Sequence, residues 1–195
     1  MPVSEEIFKR VSLEDPDGHW ELHDGCLRQK ADMGVEYNQL GFLIGHFLAS
    51  QLDLRHYMIR VDAGLVRPSA SRFYIPDVMI IRMDEVDRLF PREGMWEVYP
   101  DPLPLVVEVW SPSTGGIDTA EKLDSYRRRG DFEIWFVHPY QRTLAAWRRQ
   151  PDGTYVETVY HGGFVEPASL PEVRLNLDEL FDMLRSRRIH EGGSG

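Results

Sequence analysis

The sequence predicts an α/β (mixed α+β) fold, a central mixed β-sheet flanked by helices, and three observations carry that reading. The run at 103–110, LPLVVEVW, is almost continuously apolar, the character of a central strand buried on both faces. A helical segment closed by Gly130 follows, and then a second apolar run at 132–137, so that strand, helix and strand make a βαβ crossover with its two strands parallel. From 36 to about 52, Leu40, Leu43, Ile44, Phe47 and Leu48 fall at the spacing of an amphipathic helix that covers such a sheet.

In chain order, an acidic and helix-compatible start leads to Trp20-Glu21-Leu22 and Cys26-Leu27-Arg28, joined by His23-Asp24-Gly25 and read as a tight hairpin about an Asp-Gly turn. The helix beginning at 36 carries Glu36 on its inward stripe. Strands are predicted at 58–66 and 73–81, the second entered through Ile75-Pro76-Asp77, where the proline marks an edge or bulge. A polar connection at 83–102 precedes the central strand. The segment 111–116 reads as a loop, and the spacing of Asp118 to Glu121 predicts an N-cap and capping box for the crossover helix. Beyond the crossover, 144–149 and 155–160 form a hairpin about Pro151-Asp152-Gly153. A final helix, capped by Asn176 or Asp178, carries Leu177, Leu180, Phe181 and Leu184 on one face. No internal repeat or Pro-, Gly- or Ser-rich linker divides the chain, which reads as one domain over 1–190 followed by a flexible tail at 191–195.

Composition limits the function classes. The 195 residues are enough to bury a sizeable core. No run approaches the roughly 20 apolar residues of a membrane span. The start MPVSEEIFKR lacks the basic and apolar regions of a signal peptide, so a soluble, cytoplasmic protein is expected. Cys26 is the single cysteine, which excludes an internal disulfide framework and a Cys-cluster zinc site, and it reads as a small apolar strand residue. The formal net charge of −10 opposes affinity for nucleic acid, which draws on Lys and Arg neutralising phosphates. Basic residues nonetheless collect at Arg127, Arg128 and Arg129, at Arg142, Arg148 and Arg149, and at Arg185, Arg187 and Arg188; any one cluster alone reads as solvated surface.

Three residues break the local pattern. Glu108 stands among Val and Trp in the strand predicted to be buried, where an isolated ionised carboxylate is costly unless paired, protonated or bound to a metal. Asp77 stands between Ile75 and the run 78–81. Lys122 shares a helical stripe with Thr119, Leu123 and Tyr126, the side that packs on the sheet. The chain has lysine only at Lys9, Lys30 and Lys122 and uses arginine elsewhere, which suggests a specific need for a compact ammonium at 122. Two carboxylates on adjacent strands suit Mg²⁺ or Mn²⁺, which keeps waters and is completed by substrate phosphate oxygens. Lys122 would then face charge developing on the phosphorus centre. Glu36 would act through the metal's outer shell, although an acid in a helix first turn is also explained by the macrodipole.

The same residues carry a family resemblance. Trp20-Glu21-Leu22-His23-Asp24-Gly25, Pro76-Asp77-Val78, Val107-Glu108-Val109-Trp110-Ser111-Pro112-Ser113-Thr114, Asp118 through Lys122 to Tyr126, and Glu133-Ile134-Trp135-Phe136-Val137 together resemble the signature of the Uma2 family, formerly a domain of unknown function, within the PD-(D/E)XK nuclease superfamily. The resemblance runs from about Trp20 to Phe181. It implies a restriction-endonuclease-like fold and a divalent-metal DNase, with Asp77 and Glu108 as the acids and Lys122 as a lysine that has migrated onto the following helix. Trp110 occupies the superfamily's usual lysine position, two residues after the second acid. Tyr37 stands where many relatives have histidine, and tyrosine is a poor substitute for a metal ligand or neutral base.

Three readings remain. The first is a metal-dependent endonuclease acting on DNA as a homodimer, with Asp77, Glu108 and Lys122 at its centre. The second is a catalytically inactive protein of the same fold that binds nucleic acid or a protein partner, favoured by the acidic charge and by Trp110. The third is a metal-independent hydrolase using the two acids as a general acid and base on a substrate such as a glycan, which leaves Lys122 unexplained. The histidines show no paired metal spacing and read as structural or surface residues, and Ser111, Ser113 and Gly115-Gly116 lack the contexts of a hydrolase nucleophile or a P-loop.

Overall fold

The computed structural model describes residues 2–30, 35–90, 95–111 and 115–185. Helix α1 (Glu5–Glu14) begins at Ser4, whose hydroxyl accepts the Ile7 N–H, and leads through a short 3₁₀ turn into strands β1 (Trp20–His23) and β2 (Cys26–Gln29). This is the expected hairpin; Asp24 and Gly25 take the left-handed φ values of 48° and 78° that an Asp-Gly turn supplies. Cys26 lies on β2 as predicted, but exposed. Helix α2 (Val35–Ala49) follows, then β3 (Tyr57–Val61), β4 (Leu65–Ser69), β5 (Arg72–Tyr74) and β6 (Val78–Arg82).

These four strands correct the sequence reading, which has one strand at 58–66 and one at 73–81. Each run is cut in two, because its halves belong to different sheets. Asp62 (φ 50°) and Gly64 (φ 74°) turn the first corner, and Ile75-Pro76-Asp77 the second, where Pro76 contributes no ladder donor. The polar connection also holds more structure than predicted: helix α3 (Met83–Leu89) and the short strand β7 (Val98–Tyr99). Strand β8 (Leu105–Val109) is buried throughout, as its apolar run requires. Helix α4 (Gly115–Arg129) starts three residues earlier than the predicted cap, so Asp118 lies inside the helix and Gly115-Gly116 is not loop. Residues 112–114 of the predicted loop lie outside the described residues. Gly130 (φ 89°) ends α4, its N–H bonding Tyr126 O while the Asp131 N–H bonds the same carbonyl. The chain continues through β9 (Glu133–His138), β10 (Thr143–Arg149), β11 (Tyr155–Tyr160), β12 (Phe164–Val165), β13 (Leu175–Asn176) and α5 (Leu177–Arg185). Asn176 is the cap of α5, its Oδ1 accepting from the Asp178 and Glu179 N–H groups.

Two sheets result. One runs β11-β10-β9-β8-β6-β3, with β8 and β9 parallel as the crossover requires and the other pairs antiparallel; the other runs β2-β1-β5-β4-β7. Helices α2 and α5 pack Leu40, Ile44, Leu48, Leu180 and Phe181 on the six-stranded sheet's Val78, Ile80, Val107 and Trp135. On its opposite face, Met79, Val106, Ile134 and Phe136 meet Tyr126 of α4 and the inner residues Val66, Tyr74 and Tyr99 of the second sheet. The outer face of that second sheet, with Leu22 and Phe73, is covered by Phe8 of α1.

Candidate functional site

Asp77 is not a strand residue, as the sequence reading has it, but the last residue of the corner between β5 and β6. The antiparallel pairing of Val78 with Val107, carried one step further, sets Asp77 opposite Glu108, and the Val109 N–H donates to Asp77 Oδ2 at 2.6 Å. Glu108 alternates with Val107 and Val109 and so shares with Val106 the face of β8 that meets α4. There the Tyr126 hydroxyl donates to Glu108 Oε1, and Lys122, one turn earlier on α4, places Nζ 3.5 Å from Glu108 Oε2. Asp77, Glu108 and Lys122 are thus drawn together from a corner, a strand and a helix, and all three are buried. Glu36 lies in the first turn of α2, and its side chain lies outside the described residues.

Four further residues complete the cluster. Glu21 of β1 is buried, accepts from Lys122 at 3.0 Å and from the Ile75 N–H at 2.8 Å through Oε1, and meets His23 Nε2 at 2.9 Å through Oε2. Lys30, just past β2, is also buried; its ammonium lies 2.8 Å from Asp77 Oδ1, 2.6 Å from Asp62 Oδ1 and 2.9 Å from Ile75 O. Tyr37 of α2 donates its hydroxyl to Asp77 Oδ2, so the residue read as a poor metal ligand serves as a hydrogen-bond donor to one of the acids. His23, read as structural or surface, sits inside this network, with Nδ1 3.5 Å from Glu121 Oε1. Glu121, predicted to close a capping box, instead accepts from the Tyr74 hydroxyl at 3.1 Å. Two signals pointed this way: two of the three lysines are in the cluster, and Glu21 belongs to the motif that carries the family resemblance.

The electrostatics follow from burial and pairing. Burial pushes the Glu21 carboxyl up, but Lys122, the His23 hydrogen bond and Lys30 outweigh it and hold the group at about 2. Glu108 goes the other way: burial pushes it up, Lys122 opposes the rise and Asp77 adds to it, leaving it at about 8. Burial, Asp77 and Glu108 raise the Tyr37 phenol, and burial and Glu108 raise that of Tyr126, so both remain donors. Three carboxyls and two ammoniums would carry a net charge of −1 if all ionised, and a proton on Glu108 removes it. A divalent cation beside Asp77 and Glu108 would relieve the same excess. Among the described residues no cage of three or more His, Cys, Asp or Glu is present, and two carboxylates suit an ion that keeps several waters. The donor set therefore fits Mg²⁺ or Mn²⁺.

The arginine clusters divide. Arg127 and Arg128 are exposed as expected, whereas the Arg129 side chain is buried, bonded to Asp131 and to Tyr99 O; residues 187 and 188 lie outside the described part. Among the described residues no helix is long and apolar enough to cross a membrane.

The family model described as "Uma2: Putative restriction endonuclease" matches residues 5–178. No curated protein matches the chain. Among solved structures, "a putative nuclease belonging to DUF820" from Anabaena variabilis ATCC 29413 superposes with a TM-score of 0.75 at 17% identity, over 94% of this chain and 99% of that one. The family match spans the corner, strand and helix that assemble the cluster and the structural match spans both sheets: the chain belongs to the Uma2 family and has the restriction-endonuclease-like fold.

Proposed function

We propose that this protein is a divalent-metal-dependent endonuclease that hydrolyses phosphodiester bonds in DNA, with Asp77 and Glu108 holding Mg²⁺ or Mn²⁺ and Lys122 as the catalytic cation. The observation that carries the reading is the convergence of two acids and an ammonium, from three separate elements, in one buried cluster. The bound ion would polarise the scissile phosphate and lower the pKa of the attacking water. Lys122, tied to Glu21 and beside Glu108, presents positive charge where the phosphorus centre gains negative charge, at no cost in reorganisation. Tyr37, Val109 N–H and Tyr126 fix the two carboxylates by donation, and Lys30 fixes Asp77 from its other oxygen. Glu36, adjacent to Tyr37, is the proposed contributor through the metal's waters. A homodimer would bring two such sites to the two strands of a duplex.

The test is cleavage of plasmid and linear DNA with Mg²⁺ or Mn²⁺. Activity is expected to vanish in EDTA and to fall at least about 100-fold in Asp77→Asn, Glu108→Gln and Lys122→Ala, as when a preorganised transition-state contact is removed. Cleavage that survives these changes in folded protein overturns the assignment. A second reading, a nuclease-fold binding module, draws on Lys30 and Lys122 already satisfying the acids without metal. Absence of Mn²⁺ binding by calorimetry would favour it.

A further inference from the structure

Trp110, in the superfamily's usual lysine position, has no part in the mechanism above, and its surroundings give it another. The ladder continues past β8, with the Trp110 N–H bonding Val137 O at 2.8 Å, which puts Trp110 beside His138 of β9. Alternation places Trp110 on the same face as Glu108, and His138 on the same face as Ile134 and Phe136, the face that meets α4. The Trp110 and His138 rings stack with centroids 4.3 Å apart and planes 12° from parallel. Tyr140, 56% exposed, meets both edge-on, at 6.0 Å from Trp110 and 6.2 Å from His138. Burial lowers the His138 pKa, favouring the neutral ring.

We propose that Trp110, His138 and Tyr140 form a platform that stacks an unpaired nucleobase of the strand whose phosphate lies at Asp77 and Glu108. The inference rests on the nuclease reading for that phosphate. Trp110 lies two residue steps beyond Glu108, about 6.6 Å along the extended chain, a distance a base spans from its own phosphate. The platform is uncharged, and its contribution does not depend on phosphate neutralisation, which a protein of net charge −10 supplies weakly overall. Every base has a π face, so the occupant is a nucleobase of any identity rather than a chosen sequence.

The probe is a short fluorescent single-stranded oligodeoxynucleotide, with a matched strand of abasic sites that keeps sugar and phosphate but removes the bases. Both are titrated with Ca²⁺, an oxygen-ligand ion, in place of Mg²⁺ or Mn²⁺, and gel analysis confirms that the strand stays uncut. The wild-type protein is expected to prefer the intact strand, and Trp110→Leu and Trp110→Ala to lose about five- to 150-fold in affinity for it with no loss for the abasic strand. Trp110→Phe should keep most of the preference. Tyr140→Leu changes an exposed side chain and guards against a folding defect at 110; it should also reduce the preference. The platform is overturned if the wild type binds neither strand, binds both alike, or keeps its preference in Trp110→Leu and Tyr140→Leu. Metal-dependent cleavage alongside such a result would leave the nuclease reading standing. A Trp110-dependent preference without metal-dependent cleavage of any substrate would sustain the platform and remove the nuclease reading.

Discussion

Glu21 shows how one side chain takes its role from its partners. Its carboxylate links Lys122 of α4, the Ile75 N–H of the second corner and His23 of its own strand. Removing one partner of a buried ion pair leaves the other unpaired, at a cost on the order of 3 kcal/mol. Glu21→Gln and Lys122→Met should each therefore lower the urea midpoint. The double variant should be less destabilised than the sum of the two, and strict additivity would show that the pair is not coupled. Asp77, Glu108 and Lys122 were legible because each violates a pattern of burial or periodicity. Glu21 and Lys30 violate no such pattern, since a charged residue in a four-residue hairpin strand, or just beyond one, is ordinary, and lysine scarcity and motif membership alone do not single them out. Only the packing of that hairpin against α4 and the corner buries them.

Among elements, the helix boundaries make the clearest test. Gly130 ends α4 at φ 89°, and a Cβ built there meets only ordinary contacts, at 3.6 Å and beyond. Gly130→Ala should thus be destabilising by backbone strain alone, about 1–2 kcal/mol. Asn176→Ala removes the cap of α5 and should cost about 1 kcal/mol. Differential scanning calorimetry of the two variants would check both, and an unchanged Gly130→Ala protein would contradict the left-handed assignment. The crossover, both hairpins and the two helices α2 and α5 were readable because periodicity and turn chemistry agree there. The splits at 62–64 and 75–77 were hidden, because apolar residues run on across each corner and the sheet that each half joins is decided by tertiary pairing. The start of α4 was hidden for the opposite reason: Gly115-Gly116 discourages helix by propensity, yet lies in one.

For the whole molecule, stability is tied to pH through two buried acids that act in opposite directions. Glu108, raised to about 8, binds its proton more tightly folded than unfolded, so its contribution is present below about 4.5 and is lost as pH rises through 8. Glu21, held at about 2, contributes above about 4.5 and loses that contribution as pH falls toward 2. The metal-free protein should accordingly melt at lower temperature at pH 8 than at pH 5.5, and Glu108→Gln should flatten that slope. On the proposed reading the metal would need the ionised pair, so Mn²⁺ affinity measured by calorimetry should climb with pH, by up to about tenfold per unit below 8. A pH-independent affinity would place the ion elsewhere. The two corners have a further consequence. Asp62 and Asp77 meet backbone to backbone at 2.9 Å, and Lys30 bonds both side chains, so the seam between the sheets runs through the centre itself. A nascent or half-folded chain with one sheet formed holds Glu21 and Lys30, or Glu108 and its neighbours, but not the set. On the proposed nuclease reading, cleavage would therefore require both sheets to be in place, and a half-folded copy would not cut.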